Sequence, residues 1–169
     1  MSFLIPNLSA LGSRALRNQA EQLVATIDFA RQRSVMTGVQ HRLAVELDAG
    51  VYQLEWLQSD GAEVDEAPRG AAPGTRQGSI VLSAPPAQEL AYAAIPGIFG
   101  KLSKIGENVT ITGVETPGGW VDLGEAYVYF ERDGTSSYTT IVLAGEDGHE
   151  LSIEILPLAD TVRILDEES

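Results

Sequence analysis

Residues 8–37 carry the clearest pattern in the chain, and they read LSALGSRALRNQAEQLVATIDFARQRSVMT. The segment contains no proline and a single glycine. Apolar and small residues recur along it three or four positions apart: Leu16, Ala20, Leu23, Ile27, Ala30 and Ser34. At about 100° per residue these side chains fall on one stripe of an α-helix. Gly38 follows directly and is the residue type that most readily ends a helix. The pattern predicts one long amphipathic helix from Leu8 to Thr37.

A β-hairpin is predicted directly after the helix. Apolar residues alternate in two runs, first Leu43, Val45 and Leu47, then Tyr52, Leu54 and Trp56. The short segment between the runs ends in glycine, as hairpin turns often do. We expect the second run to pack beneath the helical stripe. The predicted contact between helix and sheet is formed by Leu16, Leu23, Ile27, Tyr52, Leu54 and Trp56.

The remainder of the chain predicts short strands joined by turns. Further strands are expected within 80–82, 90–95, 108–113, 126–130, 137–144, 151–156 and 161–165. A long loop is expected at 59–79 and a loop at 116–119, where glycine and proline are frequent. One helix followed by many strands predicts an α+β fold, in which a long N-terminal α-helix packs on antiparallel β-sheets. We expect the helix (1–38) and a β-rich, β-sandwich-type globular part (39–169) to form a single domain.

Composition excludes several classes of function. The 169 residues include 24 acidic and 11 basic ones, giving a formal charge of −13. Such a chain repels phosphate backbones and anionic lipid, so we expect no nucleic acid as partner. Cysteine is absent, which removes disulfides, thiolate catalysis and cysteine-rich zinc sites. No apolar run approaches the roughly 20 residues that a membrane helix requires.

No catalytic or cofactor motif is present. The sequence lacks a nucleophile elbow, a phosphate-binding loop and a dinucleotide fingerprint, so we expect neither enzymatic activity nor a cofactor. His41 and His149 are expected to be solvated surface residues rather than metal ligands. Asp60, Glu63, Asp65 and Glu66 do not follow the spacing of an EF-hand, and a solvated acidic loop is favoured over a calcium site.

Phe29 breaks the helical pattern. In a regular helix its side chain projects about 140° away from the apolar stripe. Exposed aromatic rings often mark contact surfaces, which makes Phe29 a candidate partner surface. The alternative is that a later loop or strand of the same chain covers the ring.

Several of these patterns together resemble a known family. Pro6-Asn7-Leu8 opens the helix, which carries Ala30-Arg31 and ends near Gly38. The alternating hairpin follows, and much later come Phe130-Glu-Arg-Asp-Gly134-Thr and Ile141-Val-Leu143. This order resembles the soluble part of a type IV pilin-like protein, and more narrowly the H-type minor pseudopilin of the type II secretion system. The resemblance is strongest over 6–57 and 126–165.

The resemblance implies a structural subunit. Such a protein is inserted in the bacterial inner membrane through one N-terminal segment, is cleaved by a prepilin peptidase, and exposes its globular part to the periplasm. Its partners are the other pseudopilins of the filament and its tip, and the secreted substrate is a further candidate. The apolar residues 3–8 are expected to be the remnant of a longer hydrophobic segment. Leu4, Leu8 and Leu11 would then pack against neighbouring helices in the filament.

Two other functions are weighed against this expectation. A minor type IV pilin for DNA uptake would need a basic patch, and the terminal Asp166-Glu167-Glu168 has the opposite charge. A periplasmic enzyme would need a deep pocket that holds a carboxylate with a raised pKa.

Overall fold

A computed structural model of the chain describes residues 8–58, 91–158 and 162–167; the side chains of 8–11 and of Glu167 are not described. Its single long helix, α1, runs over Leu8–Thr37, which confirms the predicted bounds. Gly38 follows with φ of 64°, and its N–H donates to the Ser34 carbonyl oxygen at 2.9 Å. A residue with a Cβ is disfavoured in this left-handed conformation, so glycine ends the helix here.

The first sheet is antiparallel and follows the order β3-β2-β1-β7, with β4 pairing with the other end of β2. Its strands are β1 (His41–Glu46), β2 (Val51–Gln58), β3 (Ala91–Ala94), β4 (Ser103–Lys104) and β7 (Glu125–Phe130). The β1–β2 pair is the predicted hairpin, with Leu43 opposite Leu54. A short 3₁₀ helix, η1 (Ile98–Gly100), connects β3 to β4.

The second sheet is also antiparallel and follows the order β10-β9-β8-β5-β6. Its strands are β5 (Val109–Thr116), β6 (Gly119–Val121), β8 (Thr139–Gly145), β9 (Glu150–Ile155) and β10 (Arg163–Glu167). β5 contains an irregularity between Ile111 and Gly113. One helix on two antiparallel sheets confirms the predicted α+β class.

The core lies between α1 and the two sheets. The helix packs on β1 and β7 of the first sheet and on β5, β8 and β9 of the second. All six residues of the predicted helical stripe are fully buried. The strands contribute their inward-facing residues, for example Leu43, Val128, Ile141 and Ile153. Arg31 crosses from α1 to the second sheet, donating to Ser136 Oγ at 3.4 Å and to the Leu156 carbonyl oxygen at 3.2 Å.

One expectation about the histidines is wrong. His41 is not a surface residue: it is fully buried at the start of β1, and its Nδ1 donates to the Val39 carbonyl oxygen at 2.8 Å. The sequence places it in phase with Leu43 and Val45, so the alternation that buries them also buries the histidine. The loop expected at 116–119 is a tight turn between β5 and β6. The Thr116 hydroxyl closes this turn by accepting from the Gly118 N–H and donating to the Gly119 carbonyl oxygen.

Several expected elements lie outside the described residues. They are the loop at 59–79, the strand at 80–82, the acidic residues of that loop and Leu4. In the described part of the chain, no helix has both the length and the apolar character needed to cross a bilayer.

Candidate functional site

The N-terminal part of α1 contacts the second sheet through a turn. The turn between β8 and β9 meets the helix at Gly12, where a Cβ would lie 3.1 Å from the Asp147 carboxylate. The helical backbone extends one further turn to Leu8. The side chains of Leu8 and Leu11 are not among the described ones, so their expected role in filament packing stays a prediction.

The residues expected between the helix and the hairpin differ in how deeply they are buried. Leu16, Leu23 and Ile27 are fully buried on α1. Leu54 is fully buried on β2, and Tyr52 is nearly so. Trp56 is only partly buried and packs at the margin of the same core. The stripe packs on both sheets and not on the hairpin alone, because α1 contacts β8 of the second sheet as well as β1 of the first.

Phe29 is covered from within the chain. Its ring stacks on that of Phe99, which lies in η1, with a centroid distance of 4.0 Å and an interplanar angle of 19°. Phe99 in turn remains 43% exposed. Beside the stack, a groove of about 300 Å³ lies between η1 and α1, and its lining residues are Gln22, Ala25, Thr26, Tyr52, Ile98, Phe99 and Ser103. Any contact that Phe29 makes with a partner would therefore be shared with Phe99.

A second groove lies where α1 meets the turn between β7 and β8. It has a volume of about 450 Å³, and its lining includes Asp28, Val35 and Met36 from α1 and Gly134 from the turn. Burial raises the pKa of Asp28, while the charge of Arg31 acts in the opposite direction. Val35 and Met36 are exposed, so apolar surface lies beside a carboxylate in this groove.

The outward face of the first sheet carries an aromatic cluster, which we call the tyrosine face: Arg42, Glu55, Tyr92, Tyr127 and Tyr129. The Arg42 guanidinium lies 3.9 Å from the ring centroid of Tyr92 and 4.1 Å from that of Tyr127. Arg42 Nε also donates to Glu55 Oε2 at 2.6 Å. The Tyr129 ring completes the cluster, with centroids 6.1 Å from that of Tyr92 and 6.3 Å from that of Tyr127. The cluster fixes Arg42 between two aromatic rings.

The electrostatics of the tyrosine face follow from this packing. Burial alone lowers the pKa of Arg42, but hydrogen bonds to Glu55 and Tyr129 and the nearby charges raise it overall. Burial is the main cause of the raised pKa of Tyr92. The pKa of Tyr127 is raised first by its hydrogen bond to the Glu125 carboxylate and then by burial. Arg42 therefore stays charged and both hydroxyls stay protonated near neutral pH.

A shallow pocket opens next to Tyr127 on the same face, and we call it the acidic shelf. Its volume is about 110 Å³, and its lining includes Ala44, Glu46, Gln53, Glu55, Leu102, Glu125 and Tyr127. Ala44 lies opposite Gln53 on one side and Tyr127 on the other, and its small side chain leaves the space open. Glu46 lies directly opposite Glu125 across β1 and β7. Like charges in this arrangement cost stability.

The described residues offer no other site with evident chemistry. No group of three or more His, Asp or Glu among them is close enough to hold a metal ion. His149 is partly exposed and lies 2.8 Å from Asp166, joining the turn after β8 to β10. The sequence did contain a signal for the tyrosine face: Arg42, Tyr127 and Tyr129 all lie out of phase with the buried positions of their strands. Their convergence depends on the pairing of β7 with β1, which is not local in sequence.

Comparison with known proteins identifies the fold. No family model matches the chain, and no curated protein matches it. Solved structures do match. One structure of the minor pseudopilin EpsH from the type II secretion system of Vibrio cholerae aligns with a TM-score of 0.58 and 10% identity, covering 92% of this chain and 99% of that one. A second EpsH structure gives a TM-score of 0.55 and 12% identity, covering 92% and 97%.

The fold is pilin-like. This confirms the expected resemblance to the H-type minor pseudopilin, because the alignment includes nearly all of each chain. At such low identity the likeness concerns the arrangement of helix and strands, and it assigns no residue a role.

Proposed function

We propose that this chain is a minor pseudopilin, a structural subunit that helps to assemble the tip of a type II secretion pseudopilus for protein export across the outer membrane. The observation that carries the proposal is the likeness to EpsH over 92% of this chain and 99% of the EpsH chain. A match of that extent includes the helix and both sheets. It is therefore more than a shared supersecondary motif such as a helix followed by a hairpin. The fully buried stripe of α1 further suits a helix held rigidly against its globular part.

The proposal includes a location and a class of partner. The chain would be anchored in the bacterial inner membrane by one N-terminal segment, with the two sheets in the periplasm. Its partners would be the other pseudopilins, and it would act by assembly and not by catalysis. An alkaline phosphatase fusion to the C-terminus tests the topology, because that enzyme is active only when exported. Activity comparable to that of a cytoplasmic control fusion would contradict the periplasmic location.

The function itself is tested by deleting the gene in the source bacterium. We expect proteins that are normally secreted to accumulate in the periplasm, and the full-length gene to restore their export. DNA uptake, measured as transformation frequency in the same strains, is the control for the alternative pilus role. A gel-shift assay of the purified chain with duplex DNA at low salt should show no binding, given the formal charge of −13. Unchanged secretion in the deletion strain would reject the proposal.

A further inference from the structure

We propose that the acidic shelf and the adjoining tyrosine face form a docking surface, which receives a lysine or arginine side chain of a neighbouring pseudopilin subunit. The identity of the neighbour rests on the function proposed above. The docking chemistry rests on the first sheet alone.

The tyrosine face has the character of a protein contact. Tyrosine and arginine are enriched where protein interfaces are most strongly bound, and tyrosine buries a large area with only two side-chain torsions to fix. Arg42 is already immobilised between Tyr92 and Tyr127 and paired with Glu55. The Tyr92 hydroxyl donates to Gln40, which donates to Glu131 at 2.6 Å. A partner that binds here would need to order few of these side chains, which lowers the entropic cost of association.

The negative charges on this face would be stabilised by a cation supplied by another molecule. Three carboxylates line the shelf, those of Glu46, Glu55 and Glu125. Among the described residues, Arg42 is the only cation paired with a carboxylate of the shelf, and its partner is Glu55, while Glu125 accepts a neutral hydrogen bond from the Tyr127 hydroxyl. Glu46 and Glu125 remain directly opposite each other on adjacent strands, an arrangement that weakens the pairing of β1 with β7. A positive group placed between them would convert this repulsion into attraction.

The shape of the shelf suits the side chain of lysine or arginine. Its volume of about 110 Å³ accommodates a charged head group and part of an aliphatic stem. Leu102 is 63% exposed at the rim and offers apolar surface to the stem, as long basic side chains commonly use. The Tyr127 ring lies on the shelf and attracts a cation over its face. Within the described residues no acidic or histidine trio converges tightly enough for a metal ion, which favours a larger organic cation.

A basic protein surface is favoured over the other occupants. Phosphate-bearing partners, whether nucleic acid or anionic lipid, would meet three carboxylates and a chain of formal charge −13. A second copy of this chain carries the same excess of acidic residues and is a poor electrostatic complement. A different subunit that exposes lysine or arginine carries no repelled phosphate group and complements the charge of this face.

The test measures binding to purified partners. The soluble domain of each other pseudopilin encoded by the same bacterium is titrated against the chain by calorimetry at low and high salt. We expect one domain to bind, and Glu46→Gln with Glu125→Gln to weaken that binding at least about tenfold at low salt. The matched control is Glu107→Gln with Glu146→Gln, which removes the same charge from exposed positions off this face and should leave the dissociation constant unchanged.

Stability separates docking from a structural role. The change at 46 and 125 removes an opposed pair of like charges, and a glutamine oxygen at 125 can still accept from the Tyr127 hydroxyl, so the variant should unfold at the same or a higher temperature than the wild type while binding less well. Equal binding by the variant and its control would overturn the proposal. So would the absence of any binding pseudopilin domain, or assembly of the chain with itself through this face.

Photocrosslinking in cells provides the second test. The chain has no cysteine, so Ala44→Cys gives a single thiol on the shelf and Ala144→Cys a matched one, half-buried on β8 of the other sheet. With a photoreactive maleimide on each thiol, we expect position 44 alone to crosslink to a pseudopilin, beside a lysine or arginine. Crosslinks of equal yield from both positions would contradict the docking surface.

These tests keep the two proposals apart. If the wild-type gene restores secretion to the deletion strain but the variant at 46 and 125 binds normally, the docking surface fails and the secretion role stands. If the wild-type gene restores nothing, the secretion role itself fails.

Discussion

The ring of Phe29, in the C-terminal third of α1, stacks on the ring of Phe99 in η1 at a centroid distance of 4.0 Å. This contact ties the connection between β3 and β4 to the helix. Phe99→Ala should lower the free energy of unfolding by about 1–2 kcal/mol, less than for a fully buried phenylalanine because Phe99 is 43% exposed. Urea denaturation measures the change. Leu123→Ala, which truncates a more exposed apolar residue away from the stack, is the control, and an equal effect of the two would argue against the stack.

Leu23 is a sharper test of the packing of α1. The residue is fully buried at the middle of the apolar stripe. Leu23→Ala should therefore lower the free energy of unfolding by about 2–5 kcal/mol, the range for buried leucines that leave a cavity. The measurement is chemical or thermal denaturation, with Gln32→Ala on the exposed side of the same helix as control. A melting temperature equal to that of the wild type would refute this packing.

His41 should make the protein sensitive to acid. Burial lowers the pKa of its imidazole and the charge of Arg33 adds to this, while the hydrogen bond to Val39 opposes both. The folded state thus binds the proton less readily than the unfolded state, whose histidine has a pKa of about 6.5. The stabilisation is complete above that pH and is lost as pH falls from there through the lower folded pKa.

The measurement is the free energy of unfolding between pH 7.5 and 5. His41→Gln should flatten this profile, and Gln32→Ala, which changes no titratable group, should leave its shape unchanged. An NMR titration in which the His41 ring protonates above pH 6.5 would contradict the expected direction.

The first turns of α1 are predicted to serve assembly and not folding. Leu8 and Leu11 precede Gly12, where the turn between β8 and β9 meets the helix. Replacing both leucines with serine should leave the melting temperature of the chain nearly unchanged, while incorporation of the full-length protein into the filament should fall. The filament is measured by shearing and immunoblotting. A large loss of stability would instead assign these leucines to the core.

Gly113 should be needed because Trp120 lies on it. A Cβ at this position would overlap the indole ring. Gly113→Ala should displace the ring, change its fluorescence, and cost about 1–3 kcal/mol as overpacking does. Trp56→Phe is introduced first, since the chain has only these two tryptophans. Gly118→Ala is the control in the same hairpin, because a Cβ there would meet its nearest neighbour at an ordinary 3.5 Å. An unchanged emission spectrum of Gly113→Ala would show that the ring is not held there.

Local patterns in the sequence specify most of the secondary-structure elements. Helical spacing and Gly38 placed the bounds of α1, and period-two alternation located the β1–β2 hairpin and the strands of the last third of the chain. These signals are local, since each depends on neighbours within one or two turns or along one strand. The same alternation also indicates that His41 is buried. The prediction that His41 lies on the surface considered only its residue type and missed this signal.

The tyrosine face and the acidic shelf arise only from the tertiary arrangement of the strands. Arg42, Tyr92 and Tyr127 come from three strands that are far apart in sequence, and only the order β3-β2-β1-β7 brings them within contact. The opposition of Glu46 and Glu125 likewise depends on the register of β7 against β1. Strand order and register are set by how the whole core packs, so no local pattern in the sequence specifies them.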